Sequence, residues 1–351
     1  MFLEGQFTLL KEGKRLADEI VRLESERDEG GKIDALVTST GFLTFNGARE
    51  GMFHLFSCTN HKLKTKTLPS LTPPTTKASL ASANTQPDTS EGLDADTALI
   101  YYNRLLLTTL LLPLLSRAPS PRVVTVFSAG NEAPFTPEQV SSEFRNGFTR
   151  LGWWSIFPSP NLFESPFQPD AGSTLALAAL TTLSFEQLAA KYPNVAFIHS
   201  YPGGVQTEIL NKLMDTAKGI WSYPAWFVKK FVNPVFWLIS KPFTVPVEGS
   251  GERHLFLATS AAYPAASIAS GQVEGSHGGV VPLVEGVERK KGSAEHEGRS
   301  NGVYRTQSTC EVAGANAFLT KARKEGLDVL GWRETVKVFE RILGEGVARG
   351  V

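Results

Sequence analysis

Asn194-Val195-Ala196-Phe197-Ile198-His199-Ser200-Tyr201-Pro202-Gly203-Gly204-Val205-Gln206-Thr207 is the stretch on which the fold turns. Its first six residues read as a buried strand, and Pro202-Gly203-Gly204 then turns the chain sharply. Ahead of it, residues 173–191 read as a helix. Before that helix, Arg122-Val123-Val124-Thr125-Val126-Phe127 is β-branched and strand-like. Residues 98–116 predict another helix, Ile33 to Val37 a short apolar strand, and residues 10–24 a first helix. In that first helix Leu16, Ile20 and Leu23 recur on one face, with charge on the other. Helices alternating with short apolar strands imply an α/β fold around a parallel sheet. In such folds ligands bind at the carboxyl ends of the strands, where the Pro-Gly turn falls.

Three stretches depart from that rhythm. Residues 53–90 are rich in Thr, Ser, Pro and Asn without a usable period and predict a disordered insert. Residues 152–172 predict an irregular insert holding Trp153, Trp154 and several prolines. Residues 276–302 are charged, glycine-rich and loop-like. Residues 219–260 predict a lid over a substrate, and within them the aromatic stretch from Trp221 to Ser240 predicts a lid or a packed helix pair. Residues 314–345 hold two amphipathic helices, 315–327 and 333–343.

Composition narrows the function classes. The chain has 351 residues, 42% hydrophobic and 20% charged, which suits one sizeable core. Lys plus Arg (35) equals Asp plus Glu (35), so no bulk field attracts nucleic acid. Residues 98–115 are the most apolar run, but Asn103 and Arg104 inside it favour a buried helix over a membrane span. Two cysteines, Cys58 and Cys310, make no disulfide framework. With no targeting signal in view, a cytoplasmic location is expected. The six histidines show no metal-ligand spacing, so no metal is expected. His199, closing a buried strand, reads as a hydrogen-bonded core histidine.

Four ordered segments resemble the short-chain dehydrogenase/reductase family, especially its divergent members in filamentous fungi. They are Ala35-Leu36-Val37-Thr38-Ser39-Thr40-Gly41, Glu91-Gly92-Leu93-Asp94 leading into the long apolar helix, Arg122 to Ser128, and Tyr201 to Thr207. The resemblance implies one Rossmann-like domain over residues 1–351, a doubly wound, mostly parallel sheet. It implies NADP or NAD as cofactor, touched by Thr40, Gly41, Pro202, Gly203, Val205 and Thr207. Ser128 would hydrogen-bond the carbonyl or alcohol of a hydrophobic small-molecule substrate, with Asn103 on the same side. A homodimer paired through helices 98–115 and 173–191 is also implied, as is a place in secondary metabolism.

Departures from the family pattern are large. The first strands and the glycine-rich loop that would cradle the pyrophosphate are missing, so the chain reads as truncated at its start. Gln6 stands where an aspartate meets adenine, and Ile100 where the family has asparagine. Family chemistry uses a tyrosine hydroxyl with a lysine four residues on. Asp170 and Thr174 occupy those positions, and no Tyr or Lys occurs between Gly152 and Ala190. Two alternatives therefore stand beside the oxidoreductase: an inactive descendant or mis-spliced product, and a non-redox isomerase or dehydratase reusing Asn103 and Ser128. Without its first strand the sheet would leave 33–37 as an apolar edge, to be covered by residues 1–4, an insert or a second subunit.

Overall fold

The computed structural model describes residues 3, 5–27, 31–39, 56–57, 89–143, 174–205, 244–269, 281–283, 285–296 and 299–346. In order, the described elements are α1 (Leu10–Ser25), β1 (Ala35–Thr38), β2 (Phe56–Ser57), α2 (Asn103–Leu115), β3 (Arg122–Val126), α3 (Pro137–Ser141) and α4 (Thr174–Lys191). They continue with β4 (Ala196–Ser200), α5 (Val247–Thr259), α6 (Ala266–Ala269), β5 (Glu295–His296), β6 (Arg299–Ser300), β7 (Val303–Thr306), α7 (Ala317–Lys324) and α8 (Leu327–Leu343). A short turn of helix at Ala95–Thr97 and a π-helical turn at Ala98–Tyr102 lead into α2.

The main sheet has the order β2-β1-β3-β4-β7. β1, β3, β4 and β7 run parallel, in the register Val37–Val124–Ile198–Tyr304. This is the Rossmann-like α/β architecture that the alternation implies. Strand alternation sorts the side chains. Leu36, Val123, Phe197 and Val303 join the core formed with α1, α2, α4 and α8. Ala35, Val124, Ile198 and Tyr304 face the other way, onto Leu257 and Ala258 of α5 and onto Tyr263.

The apolar edge at β1 is covered by part of an insert. Phe56–Ser57 pairs antiparallel with it, Val37 opposite Phe56 and Leu36 opposite Ser57. The rest of residues 53–90 up to 88, all of 152–172, and the aromatic run 221–237 lie outside the described residues. Within the expected lid region, Val247–Thr259 is helix α5. The loop expected over 276–302 contains the β5–β6 hairpin.

Helices α2 and α4 are apolar around their circumference, and both are enclosed. Ala98–Leu115 is long and apolar enough to cross a membrane, yet 89% of it is buried within the fold, as a core helix would be. Leu177, Ala178, Ala179 and Leu183 of α4 have no exposed surface. α1 covers α2 so closely that a Cβ on Gly13 would collide with the Asn103 Oδ1. α8 covers α4. Among the described residues, α2 and α4 are thus packed against α1 and α8. On the opposite side of the sheet, the buried guanidinium of Arg122 donates to the Ser260 carbonyl at the end of α5 (2.9 Å) and to that of Tyr263. The first of these bonds satisfies the carbonyl of the residue that caps α5.

Candidate functional site

β3 and β4 are adjacent and parallel, with Val126 opposite Ser200. Two residues beyond that pair, Ser128 and Pro202 leave the same carboxyl edge side by side. Gly203 has φ +77°, and a Cβ there would stand 2.8 Å from the Cβ of Ser308. Only glycine fits this turn without strain. Val205 bridges to Val245 just ahead of α5. Ser128, Pro202 and Gly203 thus follow the carboxyl ends of the adjacent strands β3 and β4, with Val205 just beyond them. Thr40, Gly41 and Thr207 lie outside the described residues.

Ser128 is half-buried. Its backbone N–H donates inward to His199 Nε2 (3.3 Å). Its hydroxyl has no partner among the described residues. The preceding Phe127 stacks on the His199 ring at 5.9 Å between centroids, and the Arg104 guanidinium lies 5.0 Å from the Phe127 centroid. Arg104 also donates to the Val126 carbonyl (2.7 Å), tying the start of α2 to the end of β3.

Beneath this turn runs a row of polar residues across the sheet: Thr38, Thr125, His199 and Arg305, in register on four adjacent strands and all buried. Thr38 and Thr125 share a hydrogen bond of 2.8 Å. His199 Nδ1 meets Thr182 Oγ1 at 2.9 Å. Thr182 in turn donates to Glu132 Oε1 (3.3 Å), and Arg305 donates to Glu132 Oε2 (3.0 Å) and to the Gly314 carbonyl. Asn316 adds a bond to the Glu132 carbonyl (3.1 Å). Burial, and then the nearby guanidinium charges of Arg104 and Arg305, push the His199 pKa down to about 3. His199 is thus the hydrogen-bonded core histidine that its position implied.

The other side of the edge is open. Ser200, Arg253, His254, Ser308 and Cys310 line a shallow cleft between β4, α5 and the turn after β7. His254 Nδ1 donates to the Ser250 carbonyl (2.7 Å), so its Nε2 accepts from the Ser200 hydroxyl (3.4 Å). Burial holds the His254 pKa below its ordinary value. Arg253 donates to the Ser308 carbonyl (2.7 Å). Among the described residues no three His, Cys, Asp or Glu side chains cluster to hold a metal.

Asn103 is placed elsewhere. It is fully buried, its Nδ2 donates to the Phe7 carbonyl (2.5 Å), and its Oδ1 rests against Gly13. The structure turns it towards α1 and the N-terminal segment, away from the role beside Ser128 that the sequence suggested. The residue of α2 that does meet the β3 end is its neighbour Arg104. Thr182, Glu132 and Arg305 also went unread in the sequence, because they meet only in three dimensions.

No protein-family model matches the chain. Oxidoreductase AN1596 of Emericella nidulans is 30% identical over 257 residues, which is 72% of this chain and 64% of that protein. Oxidoreductase andH of Emericella variicolor is 30% identical over 263 residues, 73% of this chain and 64% of its own. Oxidoreductase lepF of Aspergillus flavus is 27% identical over 369 residues, covering 98% of this chain and 77% of its own. The chain is similar in sequence to these fungal proteins named oxidoreductases. It spans under two thirds of the first two of these relatives, and it matches the third along nearly its whole length. Those matches take in the strand pair on which Ser128 and Pro202 stand.

Proposed function

We propose that this chain is an oxidoreductase of the short-chain dehydrogenase/reductase type, acting on a ketone or alcohol of a hydrophobic small molecule with NADP or NAD. The observation that carries this reading is the shared strand edge. Ser128, whose hydroxyl has no partner among the described residues, stands beside the Pro202–Gly203 turn at the carboxyl edge of a parallel sheet. The kinship with fungal oxidoreductases supports the redox class, and secondary metabolism is the setting proposed for it.

The fit to a dinucleotide is uneven along its length. At the nicotinamide end, Pro202, Gly203 and Val205 offer a turn that backbone can approach closely, with Thr40, Gly41 and Thr207 assigned to the same group by resemblance. At the pyrophosphate end, the described residues hold no glycine-rich turn between a strand and a helix. The N-terminus of α1 is not vacant either, since the Glu91 carboxylate already accepts from the N–H groups of Leu10 (2.6 Å) and Lys11 (2.9 Å). When bound, the dinucleotide supplies or accepts the hydride. Ser128 would orient the substrate oxygen through its hydroxyl. The family's tyrosine–lysine pair has no counterpart between Gly152 and Ala190, and that favours the inactive descendant as the second reading.

NADPH and NADH titrations separate the two. The oxidoreductase reading expects one of them to raise the melting temperature, by the equivalent of about 2.7 kcal/mol at a hundredfold excess over Kd. Ser128→Ala should then lower turnover while leaving nucleotide affinity within about twofold. A melting temperature that neither nucleotide moves would leave the inactive descendant in possession.

A further inference from the structure

We infer that His199 is a positioning residue for Ser128, locked in a single tautomer by the chain Thr182–Glu132–Arg305, and that it presets the turn on which the substrate-facing hydroxyl stands. The inference rests on the oxidoreductase reading for the role of that hydroxyl, but not for the lock itself.

Counting protons fixes the tautomer. Arg305 can only donate, and it donates to Glu132 Oε2; the carboxylate can only accept, and its Oε1 takes the one hydroxyl proton of Thr182. The Thr182 oxygen is left as an acceptor 2.9 Å from His199 Nδ1, so Nδ1 carries the hydrogen. His199 Nε2 then presents a lone pair, which the Ser128 N–H meets at 3.3 Å. The opposite tautomer would set N–H against N–H at Ser128 and lone pair against lone pair at Thr182. Water has no part in this selection, since His199, Thr182 and the Glu132 and Arg305 side chains are all at most 3% exposed. In so dry a setting each misdirected hydrogen bond carries its full desolvation cost. Three separate elements supply the lock: the segment after β3, helix α4 and strand β7. The Ser128 turn is therefore fixed to the sheet by a fully buried side chain.

The two amide analogues of imidazole divide the ring's functions. His199→Gln places a carboxamide near Nε2 and retains an acceptor for Ser128, whereas His199→Asn reaches only as far as Nδ1. The wild-type full chain, labelled with ¹⁵N-histidine, is recorded at neutral pH, with the His199 signal assigned by its loss in the His199→Gln variant. The expected spectrum shows a protonated Nδ1 and a bare Nε2. An Nε2–H tautomer or an imidazolium would overturn the inference without any variant having to fold differently. Amide exchange at Ser128 should quicken about tenfold in His199→Asn, as the loss of one hydrogen bond predicts, and stay near wild type in His199→Gln. Equal exchange rates in both variants would also overturn it. NADPH titration of the wild type forms a separate arm. If NADPH fails to bind while the tautomer and exchange results hold, the oxidoreductase reading falls and the lock stands. If NADPH binds but the exchange pattern fails, only the lock falls.

Discussion

The two sides of the sheet treat their carboxyl ends in opposite ways. Towards α4, Thr38, Thr125, His199 and Arg305 are sealed under helices and answer one another or Glu132 and Thr182. Towards α5, Ser200, His254 and Arg253 line a cleft, and that helix leaves Val247, Leu255 and Phe256 at 54%, 57% and 37% exposure. The sealed side can hold geometry with little competition from water. The open side can meet a ligand, with interactions that water weakens. Ser128, half-buried at the end of β3, has its N–H committed to the sealed side through His199.

Removing charge from each side is the strongest way to break this comparison. Glu132→Ala strands the guanidinium of Arg305 in the interior and should cost about 3–5 kcal/mol in urea unfolding. Arg253→Ala, on the partly exposed helix, should cost under about 1.5 kcal/mol. Equal losses would erase the distinction.

Acid provides a graded version of the same contrast. His199 is neutral in the folded protein down to about pH 3, while in the unfolded chain it takes up a proton near pH 6.5. The unfolded state thus binds the extra proton between those limits, and stability is lost as pH falls through that window. The slope is about 1.4 kcal/mol per pH unit. His254 contributes in the same direction, since its pKa is also lowered by burial. Unfolding midpoints between pH 6.5 and 4 should flatten more in His199→Gln than in His254→Gln. The reverse order would place the tighter histidine on the wrong side.

The smallest effect sharpens the outer surface of α5. Leu255→Ser removes apolar area that is already in water, so thermal unfolding should move by no more than about 0.5 kcal/mol. A loss of several kcal/mol would mean that this face is covered in solution.

The sequence made the central strands legible because Val123–Val126 and Ala196–Ile198 are β-branched or apolar and each strand precedes an obvious turn. It made α2 and α4 legible through unbroken runs of leucine and alanine. β7 was missed, since Val303-Tyr304-Arg305-Thr306 places a charged residue mid-strand, and its ion-pair partner lies 173 positions away. α5 was missed because Val247–Thr259 carries two glycines and little periodic apolarity. That Ser128 and Pro202 follow strand ends was legible because turn residues mark those ends locally. The lock around His199 was not, because hydrogen bonds between distant elements leave no spacing to read. Asn103 shows the opposite failure: a polar residue in an apolar helix drew a functional role, whereas its amide is committed to the Phe7 carbonyl.

The carboxylate of Glu91, which stops the start of α1, comes from 80 and 81 positions downstream of the amides that it receives. A ribosome adding about 5–20 residues per second delivers it roughly 4–16 s after Lys11 has been made. For that interval the first helix has an unfinished beginning. The chain's own order of synthesis therefore sets when its earliest element can be completed.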